Sequence, residues 1–336
     1  MTPQRFAAAL AAALALAACG APDPTVSERS FSAFGTITTV QLIEPDASRR
    51  ARAHAAIEAR YRELERDWRS FGPGELGRVN ARLAQGERAR LSPALRALVV
   101  RSLEIKERSG GFFDPRVGGL VALWGFHDLG EKTPVTPPDP AAVDELRDAS
   151  INRAELRVEG DDLVTTAPVT LELAGIAKGA ALNVGRKTLI DAGIKAALVT
   201  IGGDVIALGL HGSRPWRVGV QDPRGSGTLG TIELADGEAA LSSGNYERQF
   251  ATPDGRAHHI LDPRTGRPTT GAAGVTVIAG DAALANAAAV ALMVGGAEEF
   301  ERLSAALQIE SALLVAEDGR VVRSDDMAGR LARMPD

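Results

Sequence analysis

Residues 171–208 concentrate groups suited to holding an anion. An apolar alternating run ends in Glu172. A helix then reads from Gly175-Ile176 to Gly193, with Lys178 and Gly179 in its first turns. A β-branched strand at 197–201 follows and ends in Gly202-Gly203-Asp204. The pattern is strand, helix, strand, with glycines at both turns. The first N–H groups of a helix lack internal partners and attract negative charge, so this junction suits a phosphate or carboxylate.

A second candidate lies at 256–268, where His258 and His259 precede Asp262-Pro263 and Thr265-Gly266. Neighbouring strand residues point to opposite faces, so one imidazole should face a pocket and the other core or solvent. On these residues alone, a structural hydrogen-bonded histidine and a catalytic base are equally good readings. A third candidate is Gly110-Gly111-Phe112-Phe113-Asp114-Pro115, leading through Val117-Gly118 to Trp124-Gly125-Phe126. Rings beside an acid and glycines could form a slot for a flat ligand, although Phe and Trp more commonly fill core. Other chemistries are excluded. The phosphate-loop pattern G-x-x-x-x-G-K-[ST] is absent. The only cysteine is Cys19, so no thiolate zinc spacing exists. The net charge of -5 and the lack of a basic stripe argue against nucleic acid as a partner.

The elements that must position these groups can be read along the chain. Residues 31–42 form a strand candidate rich in β-branched side chains. Residues 46–71 form a long amphipathic helix with Ala55, Ile57, Tyr61, Leu64 and Trp68 at helical spacing. Ser92-Pro93 opens a helix that runs to Arg108 and stops at Gly110-Gly111. After a proline-rich loop at 134–140, Asp139-Pro140 caps a short helix to Arg147, and 155–166 read as a hairpin around Gly160-Asp161. Strands follow at 216–220, 228–234, 239–242 and 274–279, then helices at 281–293 and 297–307, and a final hairpin at 312–323. Interleaving without strict alternation predicts an α+β fold with both parallel and antiparallel strand pairs. The apolar share of 45% is ample for a core.

The first residues read as an export signal. Arg5 precedes an apolar run from Phe6 to Ala18, too short to span a bilayer, and Leu16-Ala17-Ala18-Cys19 has the form of a bacterial lipobox. The expected organisation is a signal peptide at 1–18, a lipid-anchored tether at 19–29 starting from Cys19, and a domain at 30–330. Losing Arg5 with the signal takes the charge from -5 to -6. A mature chain with no cysteine beyond the lipidated one suits an oxidising compartment.

Taken together, four stretches resemble the ApbE-type FAD:protein FMN transferases. They are Phe34-Gly35-Thr36; Phe113-Asp114-Pro115 through Leu123-Trp124-Gly125-Phe126; Glu172 through Lys178-Gly179 to Gly202-Gly203-Asp204; and Ser243-Gly244-Asn245-Tyr246 with His259, Asp262-Pro263, Thr265-Gly266 and Pro268. Order and spacing agree over essentially the whole mature chain. The resemblance implies mixed sheets flanked by helices, with a ligand cleft between two subdomains. It implies FAD and Mg2+ as ligands, and transfer of FMN to a Thr or Ser of an acceptor flavoprotein with release of AMP. It also implies an exported, membrane-anchored protein facing the periplasm, on the outer face of the inner membrane.

Carried over by position, the resemblance makes His259 the catalytic base and puts Phe34, Phe71, Phe112, Phe113, Asp114, Glu172, Lys178 and Leu261 around FAD. The metal positions fall on Gly175, Asn286, Ala289 and Val290. The family pattern has Asp and Thr four residues apart on one helix face, where this chain has Asn286 and Val290. Two readings follow: an FMN transferase with a rearranged metal site, or a non-catalytic FAD-binding or FAD-carrier lipoprotein whose magnesium site has decayed.

Overall fold

The computed structural model describes residues 25–127, 136–246, 249–252 and 255–332. Cys19, the signal at 1–18 and residues 19–24 of the tether lie outside the described residues, whereas Ser27 to Arg29 already belong to the first strand. A hairpin of β1 (Ser27–Ala33) and β2 (Thr36–Leu42) comes first. Next come α1 (Ala47–Trp68), α2 (Glu75–Leu83), the two-residue β3 (Ala89–Arg90), α3 (Pro93–Ser109), α4 (Gly118–Leu123) and α5 (Pro140–Arg147), which runs into a wide turn at Asp148–Arg153. The hairpin β4 (Leu156–Glu159) and β5 (Asp162–Thr165) leads to α6 (Ala174–Asp191), β6 (Ala197–Ile201) and β7 (Asp204–Leu208). Then follow β8 (Trp216–Gln221), β9 (Thr228–Leu234), β10 (Ala239–Gly244), β11 (Gln249–Thr252), β12 (Gly255–His258), β13 (Leu261–Asp262), β14 (Arg267–Pro268) and β15 (Gly274–Ala279). The chain closes with α7 (Ala282–Leu307), β16 (Ser311–Val315), β17 (Val321–Arg323) and α8 (Asp325–Arg330).

Local signals explain several boundaries. Asp46 caps α1 by accepting the Arg49 N–H at 2.8 Å, and the helix buries Ile57, Tyr61, Leu64 and Trp68 along one stripe. Ser92 caps α3, Pro93 occupies its first turn, and Gly110 ends it with a left-handed φ of 67°.

The main sheet runs β1-β2-β6-β7-β10-β15-β16-β17. Alternation along each strand divides its side chains between two cores. Val199, Ile201, Leu241 and Val277 face α1, α3, α6 and α7, in the larger core. Leu198, Val205, Ala240 and Ile278 face the β8–β9 hairpin and α8, through Trp216, Ile232 and Met327. A third, smaller core joins α4 and α5 to Leu261, around Leu120, Trp124 and Val143. The architecture is the expected mixture of sheets and helices.

Three expectations are corrected. Every strand pair described in the main sheet is antiparallel; the parallel contact is an isolated bridge, Val117 to Thr170. Residues 31–42 are not one strand. Phe34 and Gly35, at φ 56° and 70°, make the two-residue turn of the β1–β2 hairpin. Glu172 does not end a strand either. The N–H and C=O of Leu171 are taken by the side-chain amide of Asn80, at 2.8 and 2.9 Å, so no neighbouring strand pairs with them. The two helices expected at 281–293 and 297–307 are both present; they follow one another in α7 and are separated by a break at Gly296, whose φ is 64°.

Candidate active site

Glu172 organises the start of α6. Its Oε1 accepts the Ala174 N–H at 2.8 Å and the Ser70 hydroxyl at 2.9 Å, while its own N–H donates to the Pro115 carbonyl at 2.7 Å. Three segments far apart in sequence therefore meet at this helix end: the α1–α2 loop, the α3–α4 loop and the residues before α6. The carboxylate also occupies the favourable anion position at the helix N-terminus. The Ile176 and Ala177 N–H groups donate to the Leu173 carbonyl. The protein therefore uses the Ala174, Ile176 and Ala177 amides of this helix start itself, which narrows what the start can offer to a pyrophosphate.

Lys178, on the next turn, provides the cation. Its Nζ lies 2.5 Å from Oδ2 of Asp204, whose side chain is 1% exposed against 24% for Lys178. The other Asp204 oxygen accepts the Ser242 N–H at 2.9 Å. Asp204 is aimed by the Gly202-Gly203 turn, and Gly202, at φ 64°, lies against Thr36 beside the β1–β2 turn. A buried carboxylate on one side and partial exposure on the other leave the ammonium anchored but able to reach a ligand.

His258 and His259 differ in setting, but β12 ends at His258 and His259 stands in the bend after it, so the pair is not two successive residues of one strand as expected. His258 is buried; its Nδ1 accepts the Ile260 N–H at 3.3 Å, which places the proton on Nε2, where it donates to the Thr269 carbonyl at 2.6 Å. Burial holds its pKa below the ordinary imidazole value, partly offset by that carbonyl bond. His259 is half-buried and borders this fixed backbone. Asp262 takes three hydrogen bonds from Arg264, which pins the following turn, and the Trp124 indole N–H donates to the Gly266 carbonyl at 2.9 Å.

The remaining expected ligand residues fall into separate settings. Phe71 and Leu261 share the small third core, and Phe71 adjoins Ser70, whose hydroxyl donates to Glu172. Phe34 stands at the hairpin tip with its ring 5.7 Å from that of Tyr61. Phe112 and Phe113 are core rather than an open slot. Arg264 covers the Phe112 ring at 3.9 Å, and the Phe113 ring edge packs on Gly175. Asp114 is buried and bound by Arg116 through Nε and Nη2, so its carboxylate serves the fold. Ser70, Asn80 and Arg264 were not among the expected site residues. No local pattern marks them, because each acts across the fold.

The expected metal positions meet where α6 crosses α7, and they do not fit a magnesium ion. Asn286, 2% exposed, spends its carbonyl oxygen on the Gly179 N–H at 3.1 Å. A Cβ on Gly175 would lie 3.4 Å from the Val290 methyl and 3.2 Å from the Phe113 ring, and Ala289 is fully buried. A hard cation needs several oxygen ligands. Among the described residues no group of three or more His, Cys, Asp or Glu could hold a metal.

The ApbE family model matches residues 34–313. A Rhodobacter capsulatus FAD:protein FMN transferase is 39% identical over 97% of this chain, which spans 63% of that relative's own length. A Klebsiella pneumoniae FAD:protein FMN transferase is 28% identical, with 88% of each chain covered. Among solved structures, the Thermotoga maritima ApbE protein superposes with a TM-score of 0.84 at 27% identity, covering 92% of this chain and 100% of that one. The Pseudomonas stutzeri flavinyl transferase ApbE gives 0.79 at 26% identity, covering 93% and 99%. With a family model matched from the first hairpin turn to β16 and the fold shared throughout, the chain belongs to the ApbE family.

Proposed function

We propose that this chain is an FAD:protein FMN transferase. It binds FAD beside the start of α6 and passes the FMN half to a Thr or Ser hydroxyl of an acceptor flavoprotein. In the transfer the hydroxyl oxygen bonds to the FMN-side phosphorus. The pyrophosphate P–O bond breaks, AMP leaves with the bridging oxygen, and the hydroxyl proton passes to the imidazole of His259. Lys178 balances phosphate charge from its seat on Asp204. His258 fixes the Ile260 backbone and so the approach of His259. Magnesium enters none of these steps, since the residues at its expected positions do not fit it.

The observation that carries this reading is the convergence of Ser70, Pro115 and Glu172 at the start of the helix that presents Lys178 to Asp204, in a chain of this family. The test is to incubate the chain with FAD and an acceptor protein carrying the target Thr, then weigh the acceptor. A gain of one FMN is expected. An acceptor that never gains it, while the chain copurifies with intact FAD, overturns transfer in favour of FAD carriage. That second reading is favoured by one observation, the substitution of Asn286 and Val290 at the metal positions.

The cellular setting belongs to the same proposal. Cys19 carries a lipid after removal of residues 1–18, residues 19–29 tether the protein, and residues 30–330 face the periplasm from the inner membrane. The support is a sole cysteine at the end of the apolar run. Cys19→Ala should leave the protein unlabelled by radioactive palmitate, and equal labelling of both forms would refute the anchor.

A further inference from the structure

The crossing of α6 and α7 is packed without room for a hydrated ion. A Cβ on Gly179 would lie 2.1 Å from the Ala282 carbonyl oxygen, so the two helices touch backbone to backbone. One turn along, Asn286 is locked to the Gly179 N–H. Beyond it, Val290 and the Phe113 ring close over Gly175. Methyls and a ring edge have no affinity for a hard cation, and the Asn286 oxygen is already engaged. The positive charge on this part of α6 is Lys178, set by a buried carboxylate.

Resting on the reading that this chain binds FAD, we infer that it does so without a divalent cation, the α6–α7 seam being closed to metal by Asn286 and Val290. The phosphates of FAD are balanced by side-chain cations, Lys178 first among them. The seam is a neutral hydrogen-bonded and apolar joint. Its near-isosteric side chains keep the crossing geometry while removing the ligands.

The test is a fluorescence titration of FAD into the full chain, in EDTA and in millimolar magnesium. The inference expects dissociation constants that agree within about twofold, whereas at a true metal site even losing one supporting contact to a ligand costs about 10- to 100-fold in metal affinity or activity. Tenfold or weaker binding in EDTA overturns it while leaving the transferase reading standing. No FAD binding in either buffer overturns both. Manganese, added to the chain alone and with FAD, provides a second readout by its electron paramagnetic resonance signal. A protein-bound manganese signal in the unmodified chain overturns the inference. The double variant Asn286→Asp with Val290→Thr should acquire both a bound manganese signal and a magnesium-dependent FAD affinity. If it folds, as its circular dichroism will show, and acquires neither, then these two side chains are not what excludes the metal and the inference fails.

Discussion

On the α6 side of the crossing, charge is present and organised. Glu172 binds the Ser70 hydroxyl and the Ala174 amide, and Lys178 binds Asp204. On the α7 side, Asn286, Ala289 and Val290 present one carbonyl oxygen, already used, and methyl groups. The difference shows how a two-sided site can lose one side without disturbing the fold. Removing a partner from a buried charge is costly, so Lys178 and Asp204 hold each other in place. Replacing Asp by Asn and Thr by Val, the exchanges implied by the family pattern, nearly conserves volume, so a helix seam tolerates them. Shared architecture therefore supports the FAD side of the chemistry more strongly than the metal side.

The comparison can be broken most sharply at Lys178. Lys178→Met leaves the Asp204 carboxylate buried without its cation and should cost about 3 kcal/mol in urea unfolding. Asp204→Asn keeps an acceptor for the Ser242 N–H and leaves a partly exposed ammonium that water can reach, so about 1 kcal/mol is expected. Equal losses would mean that burial of the carboxylate is not what fixes the pair. Next comes the seam itself. Gly179→Ala drives a methyl into the Ala282 carbonyl and should cost about 2 kcal/mol, whereas Gly203→Ala meets no atom within 4 Å and should be close to neutral. Thermal melts of the two variants decide it, and similar melting temperatures would contradict the backbone contact.

A pH scan gives a smaller effect. Burial lowers the pKa of His258, and also that of His54, so the unfolded chain binds protons more readily than the folded one. Stability from these groups is complete above their ordinary value of about 6.5 and is lost as pH falls through their folded values. Carboxylates such as Glu44 and Asp67, whose pKa values are lowered by hydrogen bonding, add their losses only below the ordinary carboxylate range. His258→Gln should flatten the slope just below pH 6.5, and an unchanged slope would assign it to other groups. The smallest change is expected at Tyr61. Its hydroxyl is buried without a hydrogen bond and points into the notch at Gly185, so Tyr61→Phe should shift stability by no more than about 0.5 kcal/mol, toward stabilisation if at all. A large loss would reveal a bond to that hydroxyl.

Much of this was legible in the sequence because it depends on neighbours along the chain. Asp46, Ser92-Pro93 and Gly110 mark helix ends through local backbone needs, and those ends appear where expected. The pair His258 and His259 was only partly legible, because β12 ends at His258 and the bend that follows, not strand alternation, sets His259. What failed was long-range. Asn80 captures the backbone of Leu171 from 91 residues away and takes the groups that the expected strand would have paired. The bond from Ser70 to Glu172 spans 102 residues and leaves no periodic trace. Phe34 falls inside a run rich in β-branched residues that reads as one strand, and its positive φ, uncommon for an aromatic residue, leaves no mark in that pattern; its ring packs on Tyr61. The alignment of α7 identified Asn286 and Val290, but only the crossing geometry shows that one caps a Gly179 amide and the other fills space over Gly175.

The most direct test of the whole account is the intact mass of an acceptor protein incubated with this chain and FAD in the presence of EDTA. The account predicts that the acceptor gains one FMN, at a rate close to that in magnesium, and that His259→Ala abolishes the gain. An acceptor that stays unmodified in EDTA but is modified in magnesium would contradict it.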